Sequence, residues 1–348
     1  MRGHGYNNNP IAMLIGIVMF LGSFIFLFSN EGYYIKNIKI ANFVAKNVVN
    51  ITTVSSAADG KLVHMSSEVK TDRVLSDEFV SVNTPVLKRI VEMYQWEEHS
   101  SGSSKHRSHR YEKVWSSHIE HVSDSAHRNP SSMPYRNINL RAKSVQFGDF
   151  NLTSSIIAKL EPVNYYTDFR LDNIDGFKVA SSRYLYRGKG SIYNPEIGDI
   201  RISYEYLNPG SYVSIIAGQS GNILRPYSSR AGDIAIVENG KRTSAEMISG
   251  FKNDNKTGAI SFRVLGFFLM VVGLTMIAIP VRYVLSFIGL GWFGEKITCG
   301  LAFLISIPLT IITISLAWLA FRPMLAFMSI GVCVAVVFLI LMAVNKNK

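Results

Sequence analysis

The sequence predicts an α+β membrane protein with four transmembrane helices, one N-terminal and three C-terminal, and a large β-rich extracytoplasmic domain between them. Four windows are long, apolar and free of charge, namely residues 11–28, 264–281, 298–321 and 324–344. About 18 apolar residues, at about 1.5 Å of helix rise each, nearly cross a hydrocarbon core of about 30 Å. Between the first two windows, short alternating segments are separated by turn residues, which is typical of β-strands.

The first window is predicted to be a retained anchor, transmembrane helix 1. Its apolar stretch is longer than the apolar core of a signal peptide, which has about 7–15 residues. Only Arg2 supplies a basic flank. The following residues, FLFSNEGYYIK, contain no small-x-small cleavage site. A cleaved signal peptide is the alternative interpretation of this segment.

The distribution of charge predicts the orientation. With four spans, both termini and the loop at 282–297 lie on the same side of the membrane. That side carries basic residues in short segments and a single acid, Glu295; the basic residues are Arg2, Arg282, Lys296, Lys346 and Lys348. The positive-inside rule therefore predicts a cytoplasmic tail at 1–10, a cytoplasmic amphiphilic loop at 282–297, and residues 30–262 in a periplasm or an organelle lumen.

The net charge of +11 is spread along the chain. Without the short-segment charges near the membrane, the large domain keeps a mild basic surplus and has no dense basic stripe, which argues against a nucleic-acid partner. Both cysteines, Cys299 and Cys333, fall in membrane windows. The exposed domain therefore has neither a disulfide framework nor a thiolate metal site.

Within 30–262, alternation and turn residues predict a series of strands and two short helices. The strands are expected at 60–69, 85–98, 111–121, 183–190, 199–207 and 211–219, and the helices at 153–160 and 244–251. In the strand 85–98, one face is predicted to carry Ile90, Tyr94 and Trp96, and the other Arg89, Val91 and Met93.

Six of the eight histidines fall between residues 99 and 127. The pairs His106/His109 and His118/His121 have HxxH spacing and are the candidate metal ligands, for Zn²⁺ or Ni²⁺. On a strand, however, residues i and i+3 point to opposite faces, and the flanking residues are Ser, Lys and Arg. We therefore expect a solvated hairpin tip and no metal or other cofactor, with pH sensing as a weaker alternative.

No motif for catalysis is present, because the sequence lacks GxSxG, HExxH and a Walker loop. The segment GQSG at 218–221 is interpreted as a turn between strands. We therefore predict that the protein is not an enzyme. No charged residue lies at the middle of a predicted span, which argues against a transporter. A pore assembled from several chains is kept as an alternative.

Several blocks, taken together and in order, resemble one family of membrane proteins. They are GKLVHMSSEV (60–69), VEMYQWEE (91–98), YEKVWSS (111–117), HRNPSSMP (127–134), GDIRISY (198–204), VSIIAGQSGNILRPY (213–227), SAEMISGF (244–251), FRVLGFFLMVVGL (262–274) and AWLAFRP (317–323). Almost the full length is similar to the LUMA family, also called the transmembrane protein 43 family. Its architecture resembles the one that hydropathy predicts here.

The resemblance implies a function and a set of structural positions. Family members in animals are regarded as scaffolds that self-associate and gather other membrane proteins in the endoplasmic reticulum and inner nuclear membrane. The implied partners are the lipid bilayer, further copies of the chain and other membrane proteins. The positions that the blocks imply to be fold-defining, and not catalytic, are Trp96, Trp115, Asn129, Pro130, Asp199 and Arg225.

The prediction is therefore a non-catalytic, self-associating membrane scaffold that organises membrane protein complexes through its extracytoplasmic domain. A channel or channel subunit is the first alternative, and a metal- or pH-sensing membrane module is the second. The short N-terminal tail favours a bacterial inner membrane with a periplasmic domain. The endoplasmic reticulum or inner nuclear membrane is the expectation if the chain is eukaryotic.

Overall fold

The structure is a computed structural model that describes residues 10–103, 106–169, 175–278 and 291–323. It divides into two compact units. We call Lys46–Met247 the β unit; the remaining residues, up to Ala45 and from Ile248 onward, form the helical unit.

Three long helices account for the described part of the helical unit. The α-helices in the described part of the chain are α1 (Pro10–Asn47), α2 (Ser154–Ile157), α3 (Ser244–Ile277) and α4 (Gly291–Phe321). Helices α1, α3 and α4 are long and apolar enough to cross a membrane, which confirms the predicted α+β membrane fold with one N-terminal span and C-terminal spans. The predicted fourth span at 324–344 lies outside the described residues.

Helices α1 and α3 approach each other closely at glycines. A Cβ atom on Gly16 would lie 2.6 Å from the Cβ of Met276, and one on Gly273 would lie 2.6 Å from the backbone nitrogen of Phe20. Small residues allow helix backbones in a membrane to come together, and van der Waals packing then stabilises the pair. The two glycines therefore set the spacing of this helix pair.

The helices extend further than the sequence analysis expected. Residues 30–45 and 252–262, which were expected in the β-rich domain and outside its two short helices, are helical, and α4 begins inside the expected loop at 282–297. In α1, Glu31, Ile35, Ile40 and Val44 are buried. Their spacing of four or five residues is helical, and this pattern continues the membrane helix beyond its uncharged window.

The described residues of the β unit form eighteen strands. They are β1 (Val49–Asn50), β2 (Leu62–Lys70), β3 (Val74–Ser76), β4 (Ser81–Asn83), β5 (Val86–Ser103), β6 (His106–Ser116), β7 (Ile138–Arg141), β8 (Gln146–Phe147), β9 (Phe150–Leu152), β10 (Asn164–Tyr165), β11 (Lys178–Val179), β12 (Leu185–Arg187), β13 (Ile200–Tyr206), β14 (Tyr212–Ser220), β15 (Ile223–Arg225), β16 (Tyr227–Ser229), β17 (Gly232–Ile234) and β18 (Ile236–Asn239).

The first sheet has seven strands in the order β1-β2-β8-β9-β15-β14-β18, and β14 also pairs with β2. This additional pairing closes a ring made of β2, β8, β9, β15 and β14. Its buried cluster includes Val63, Phe147, Phe150 and Ile215. Burying such side chains contributes about 1.5–3 kcal/mol each, so the cluster supplies much of the stability of this half of the unit.

The second sheet runs β11-β12-β13-β5-β6, with β10 added to β13 and β7 added to β5. Its buried cluster includes Phe79, Val91, Phe177 and Tyr204. Strands β13 and β14 follow each other in the chain but belong to different sheets. The Asn208-Pro209-Gly210 segment between them, with Gly210 at φ +85°, therefore turns the chain from one sheet into the other.

Strand β5 has the predicted alternation of faces. Arg89, Val91 and Met93 are buried, whereas Tyr94 and Trp96 on the other face are only half-buried. The hairpin differs from the expectation, because most of the expected tip at 99–110 is paired strand, with Ser101 opposite Ser108. Strand β6 ends at Ser116, earlier than the expected 121. Backbone pairing carries the strands through a polar sequence that propensity assigns to a loop.

A buried histidine fastens the chain before α3 to the first sheet. His64 on β2 is 7% exposed; its Nε2 donates to the carbonyl oxygen of Arg242, 2.9 Å away, and its Nδ1 lies 2.9 Å from the side-chain oxygen of Asn50. Burial lowers the pKa of His64, and the Arg242 carbonyl only partly offsets this.

We expect acid to destabilise the β unit through this residue. Because the pKa of His64 is lower in the folded state, its contribution is fully present above the unfolded value of about 6.5 and is lost as the pH falls through the folded value. The free energy of unfolding of the wild type, minus that of His64→Gln, should therefore decrease between about pH 7.5 and pH 5. A difference that stays constant or increases with acid would contradict the assignment.

Candidate functional site

The second sheet ends in a two-stranded ribbon. Strand β13 pairs with β5 only as far as Met93, whereas β6 pairs with β5 from Met93 to Ser103. We call the residues Tyr94–Ser103 of β5 together with β6 the ribbon. Because the ribbon has no third strand among the described residues, both of its faces and its outer edge are candidates for contact with a partner.

One face of the ribbon carries aromatic and cationic side chains in contact. Lys113 Nζ lies 4.8 Å from the ring centre of Trp96, and the Arg201 guanidinium lies 4.5 Å from that of Trp115. Tyr94 packs on Trp115 with ring centres 5.2 Å apart. These side chains are half-buried, apart from the exposed Lys113. Aromatic and Arg side chains of this kind are enriched in protein interfaces.

The segment after β6 folds back onto this face. His127 stacks on Tyr111 with ring centres 4.1 Å apart and meets Trp96 edge-on at 4.5 Å. Its Nδ1 lies 2.7 Å from Asp124 Oδ2. The backbone N–H of Ala126 and the His127 ring lower the pKa of Asp124. The segment therefore holds the aromatic face in one arrangement.

Asn129, one of the predicted fold-defining residues, joins this segment to the ribbon. Its Oδ1 accepts from the backbone N–H of Trp96 at 2.7 Å, and its Nδ2 donates to the carbonyl oxygens of Trp96 at 2.7 Å and Glu120 at 3.1 Å. The side chain thus takes the place of a neighbouring strand at Trp96. Pro130 follows, and its Cγ would lie 3.4 Å from a Cβ on Gly198.

The histidines are dispersed over the ribbon and the segment that follows. His99 Nε2 lies 3.5 Å from Glu97, His109 contacts Glu98, and His118 Nε2 lies 3.0 Å from Glu120. His121 is exposed, and the side chain of His106 lies outside the described part. Among the described residues, no group of three or more potential ligands converges on a metal position. His99, His109 and His118 thus each contact a different carboxylate.

Glu98 ties the ribbon to the same segment. It accepts hydrogen bonds from the backbone N–H of Ser123 at 2.5 Å and from the Ser123 hydroxyl at 2.7 Å, and it also contacts His109. The Ser123 hydrogen bonds, followed by His109, lower the pKa of Glu98. The carboxylate is therefore charged at neutral pH.

Asp199 organises the loop that precedes β13. Its buried carboxylate accepts from the backbone N–H of Lys189 at 2.9 Å, Gly190 at 3.1 Å and Glu196 at 2.8 Å, and from the Tyr186 hydroxyl. Burial alone would raise the pKa of Asp199, but these four donors outweigh it and lower the pKa. Burial and the carboxylate together raise the pKa of Tyr186.

Two further predicted positions differ in their surroundings. Trp115 is part of the aromatic face, whereas Arg225 is exposed on β15, where it pairs through its backbone with Gly218 of β14. The nearby GQSG segment closes this β14–β15 hairpin, with Gly221 at φ +57°. Its backbone N–H donates to Asp59 Oδ1 at 2.8 Å. This is the turn that the sequence analysis expected there.

Sequence reasoning missed a buried ion cluster under the second sheet. Arg89 is 6% exposed, and its Nη1 lies 2.9 Å from Asp77 Oδ2 and 2.5 Å from Glu78 Oε1. The Tyr204 hydroxyl donates to the same Asp77 oxygen at 2.6 Å. Asp77 and Glu78 also line a cavity of about 520 Å³. The placement of Arg89 on the apolar face of β5 was the available signal, because a cation there requires a buried acid.

A second missed cluster joins α1, α3 and α4. Glu31 on α1 is fully buried and faces Arg263 of α3, with distances of 2.6 Å to Nε and 2.8 Å to Nη2. Trp318 Nε1 on α4 donates to the same carboxylate at 2.7 Å. A bidentate Arg–carboxylate pair has a fixed geometry, so this cluster orients the helices as well as holding them. Glu31 lies just past the first uncharged window, and a lone acid at that position was the sequence feature that could have indicated a buried ion pair.

Comparisons with known proteins agree with these blocks. The sequence profile of the family described as Transmembrane protein 43 matches residues 93–323. Transmembrane protein 43 of Rattus norvegicus is 30% identical over 350 residues, covering 90% of this chain and 85% of the relative. The Homo sapiens protein is 29% identical, covering 92% and 86%. The Drosophila melanogaster homolog is 24% identical, covering 76% of each.

No solved structure matches this chain at a significant level. The three relatives are animal membrane proteins, which is consistent with the eukaryotic option for the membrane in which this chain resides. The profile covers well over half of the chain, and the apolar helices make the protein an integral membrane protein. The chain belongs to the transmembrane protein 43 family.

Proposed function

We propose that this protein is a non-catalytic membrane scaffold that self-associates and gathers other membrane proteins through its β unit. The observation that carries the proposal is the ribbon, a two-stranded extension of the second sheet with half-buried aromatic and charged side chains on one face. Such a surface resembles the core of a protein interface, where aromatic residues and Arg supply most of the binding free energy.

The helical unit favours association through this surface by anchoring the chain in a bilayer. Helices α1, α3 and α4 anchor the chain in the bilayer, so neighbouring copies diffuse in two dimensions. Confinement of this kind raises the effective concentration of each copy for the others, and contacts that are weak in solution become populated. A scaffold therefore needs only a modest interface on each β unit. The predicted division into a cytoplasmic tail, an extracytoplasmic domain and a cytoplasmic loop is part of this proposal.

The test is the mass of the full-length protein in lipid nanodiscs, measured by native mass spectrometry over a range of protein-to-lipid ratios. We expect a discrete oligomer that persists when the protein is diluted with excess lipid. A monomer at every ratio would remove self-association from the proposal. Ion conductance of the same particles in planar bilayers would instead favour the channel alternative.

A further inference from the structure

We infer that two copies of this chain pair through the outer edge of β6, with β6 antiparallel to β6 of the second copy and Tyr111 at the two-fold axis. This inference rests on the proposed self-association and specifies its surface. It commits to a second copy of the chain as the partner.

The outer edge of β6 presents free backbone groups. Residues opposite each other in an antiparallel pair point their N–H and C=O groups either both toward or both away from the partner strand. The backbone N–H and C=O groups of Trp96 bond to Asn129 and so point away from β6. The backbone groups of Lys113, which stands opposite Trp96, therefore point away from β5. Because the direction of these groups alternates along a strand, those of Tyr111 and His109 also point away from β5. No described residue donates to or accepts from these backbone groups.

Such an edge is a template for another strand, because each unpaired N–H and C=O group gains a partner when a strand is added. The other edge of the ribbon is not available in the same way. At Tyr94 it is bonded to the backbone of Gly198 and Asp199, and at Trp96 it is bonded to Asn129. The structure therefore leaves β6 as the open side of the ribbon.

Charge selects the register. Arg110 and Glu112 lie on the face opposite to Tyr111, with side chains 80% and 40% exposed, and form an ion pair of 2.6 Å within the strand. With the axis at Tyr111, Arg110 of each copy stands directly opposite Glu112 of the other. Moving the axis by one residue would place Arg110 opposite Arg110, or Glu112 opposite Glu112. Like charges in directly opposite positions are destabilising, and unlike charges are stabilising.

The other face is compatible with the same register. There Tyr111 meets Tyr111 of the second copy, and His109 stands opposite Lys113 of the second copy. His109 is held against Glu98, so Lys113 approaches a carboxylate together with the imidazole. The pairs centred on Tyr111, from His109 to Lys113, would exchange about six backbone hydrogen bonds. An interface of this size is weak in solution and becomes effective between chains confined to one bilayer.

Charge exchange tests the register in the full-length protein in nanodiscs and liposomes. The variants Arg110→Glu and Glu112→Arg should each raise the dissociation constant of the dimer about tenfold, because two attractive pairs become repulsive. The double variant Arg110→Glu/Glu112→Arg should restore it. The matched control is Lys70→Glu, which disrupts another exposed ion pair within one strand, Lys70–Glu68 at 2.9 Å, and should leave dimerisation unchanged.

Cysteine crosslinking tests the axis directly. In the Cys299→Ser/Cys333→Ser background, Tyr111→Cys should give a disulfide-linked dimer on mild oxidation, since hydrogen-bonded antiparallel pairs have Cα atoms about 5.5 Å apart, within disulfide range. Ser108→Cys is the control. In this register the two Ser108 positions are separated by about six residues along the strand, or about 20 Å, and should not crosslink.

The outcomes separate this inference from the proposed function. If the charge variants leave the dissociation constant unchanged and Tyr111→Cys gives no crosslink, the β6 pairing is overturned. The scaffold proposal then stands, with its interface elsewhere. Crosslinking at Ser108→Cys in preference to Tyr111→Cys also overturns the register. A monomer in every membrane preparation overturns both.

Discussion

Replacing Glu31 with Ala is expected to lower the stability of the helical unit by about 3 kcal/mol, the lower end for breaking a buried ion pair. The carboxylate is completely buried and accepts from Arg263 and from Trp318. Without it, the guanidinium and the indole N–H lose their shared acceptor in a region where little water can replace it. The Arg263 side chain is 27% exposed and keeps some solvation, which places the expected loss at the lower end.

The measurement is the free energy of opening from amide hydrogen exchange in α1 and α3, with the full-length protein in detergent or nanodiscs. A double-mutant cycle with Arg263→Ala should show a coupling of about 1–3 kcal/mol, because each variant removes the same interaction. Ser315→Ala is the control, since that exposed hydroxyl donates to the Ile311 carbonyl of its own helix. Strictly additive losses would show that Glu31 and Arg263 do not stabilise the unit as a pair.

Hydropathy was sufficient to predict the membrane fold, because an uncharged apolar run is a local property of the chain. The windows at 11–28 and 298–321 lie within α1 and α4, and residues 264–277 of the window at 264–281 lie within α3. The ends of the helices were harder to predict. Helix α1 continues to Asn47 through residues that are charged on one side and buried on the other, a weaker signal than a continuous apolar run.

Strand positions were predictable from alternation, whereas their partners were not. The strand expected at 199–207 and the one expected at 211–219 correspond closely to β13 and β14. A short turn between neighbouring strands usually indicates a hairpin, yet these two strands join different sheets. Which strands pair depends on contacts between distant segments, such as β14 with β2, and one sequence contains no direct record of them.

The sequence indicated some members of the polar clusters but not their partners. Asp199 and Asn129 stood out in the family blocks, and each proves to accept or donate several hydrogen bonds. The cluster around Glu31 was missed because its partners are distant in the chain: Glu31 and Arg263 are separated by 232 residues. In the cluster around Arg89, Asp77 is only 12 residues away, but the Tyr204 hydroxyl that shares this carboxylate lies 127 residues from Asp77. The histidine spacing is the opposite case, since a local pattern suggested a candidate shared site, whereas His99 and His118 contact different carboxylates, Glu97 and Glu120.

Asp199→Ala is expected to lower the free energy of unfolding of the β unit by about 3 kcal/mol, since it leaves the buried Tyr186 hydroxyl and three part-buried backbone N–H groups without an acceptor. The loop from Gly188 to Glu196 wraps closely around the carboxylate: a Cβ on Gly188 would lie only 2.0 Å from Oδ1. Tyr186→Phe removes one of the four donors and should have an effect of about 1 kcal/mol.

The pH dependence distinguishes loss of the charge from loss of packing. Because the pKa of Asp199 is lowered in the folded state, its stabilisation is present above the unfolded value of about 3.9 and is lost as the pH falls through the folded value. Asp199→Asn keeps the size of the side chain but cannot titrate. Its free energy of unfolding, measured with denaturant, should lie below that of the wild type at pH 7, and the difference should shrink as the solution is acidified below about pH 4. A difference that is the same at pH 7 and in acid would mean that the hydrogen bonds, and not the carboxylate charge, hold this loop against β13.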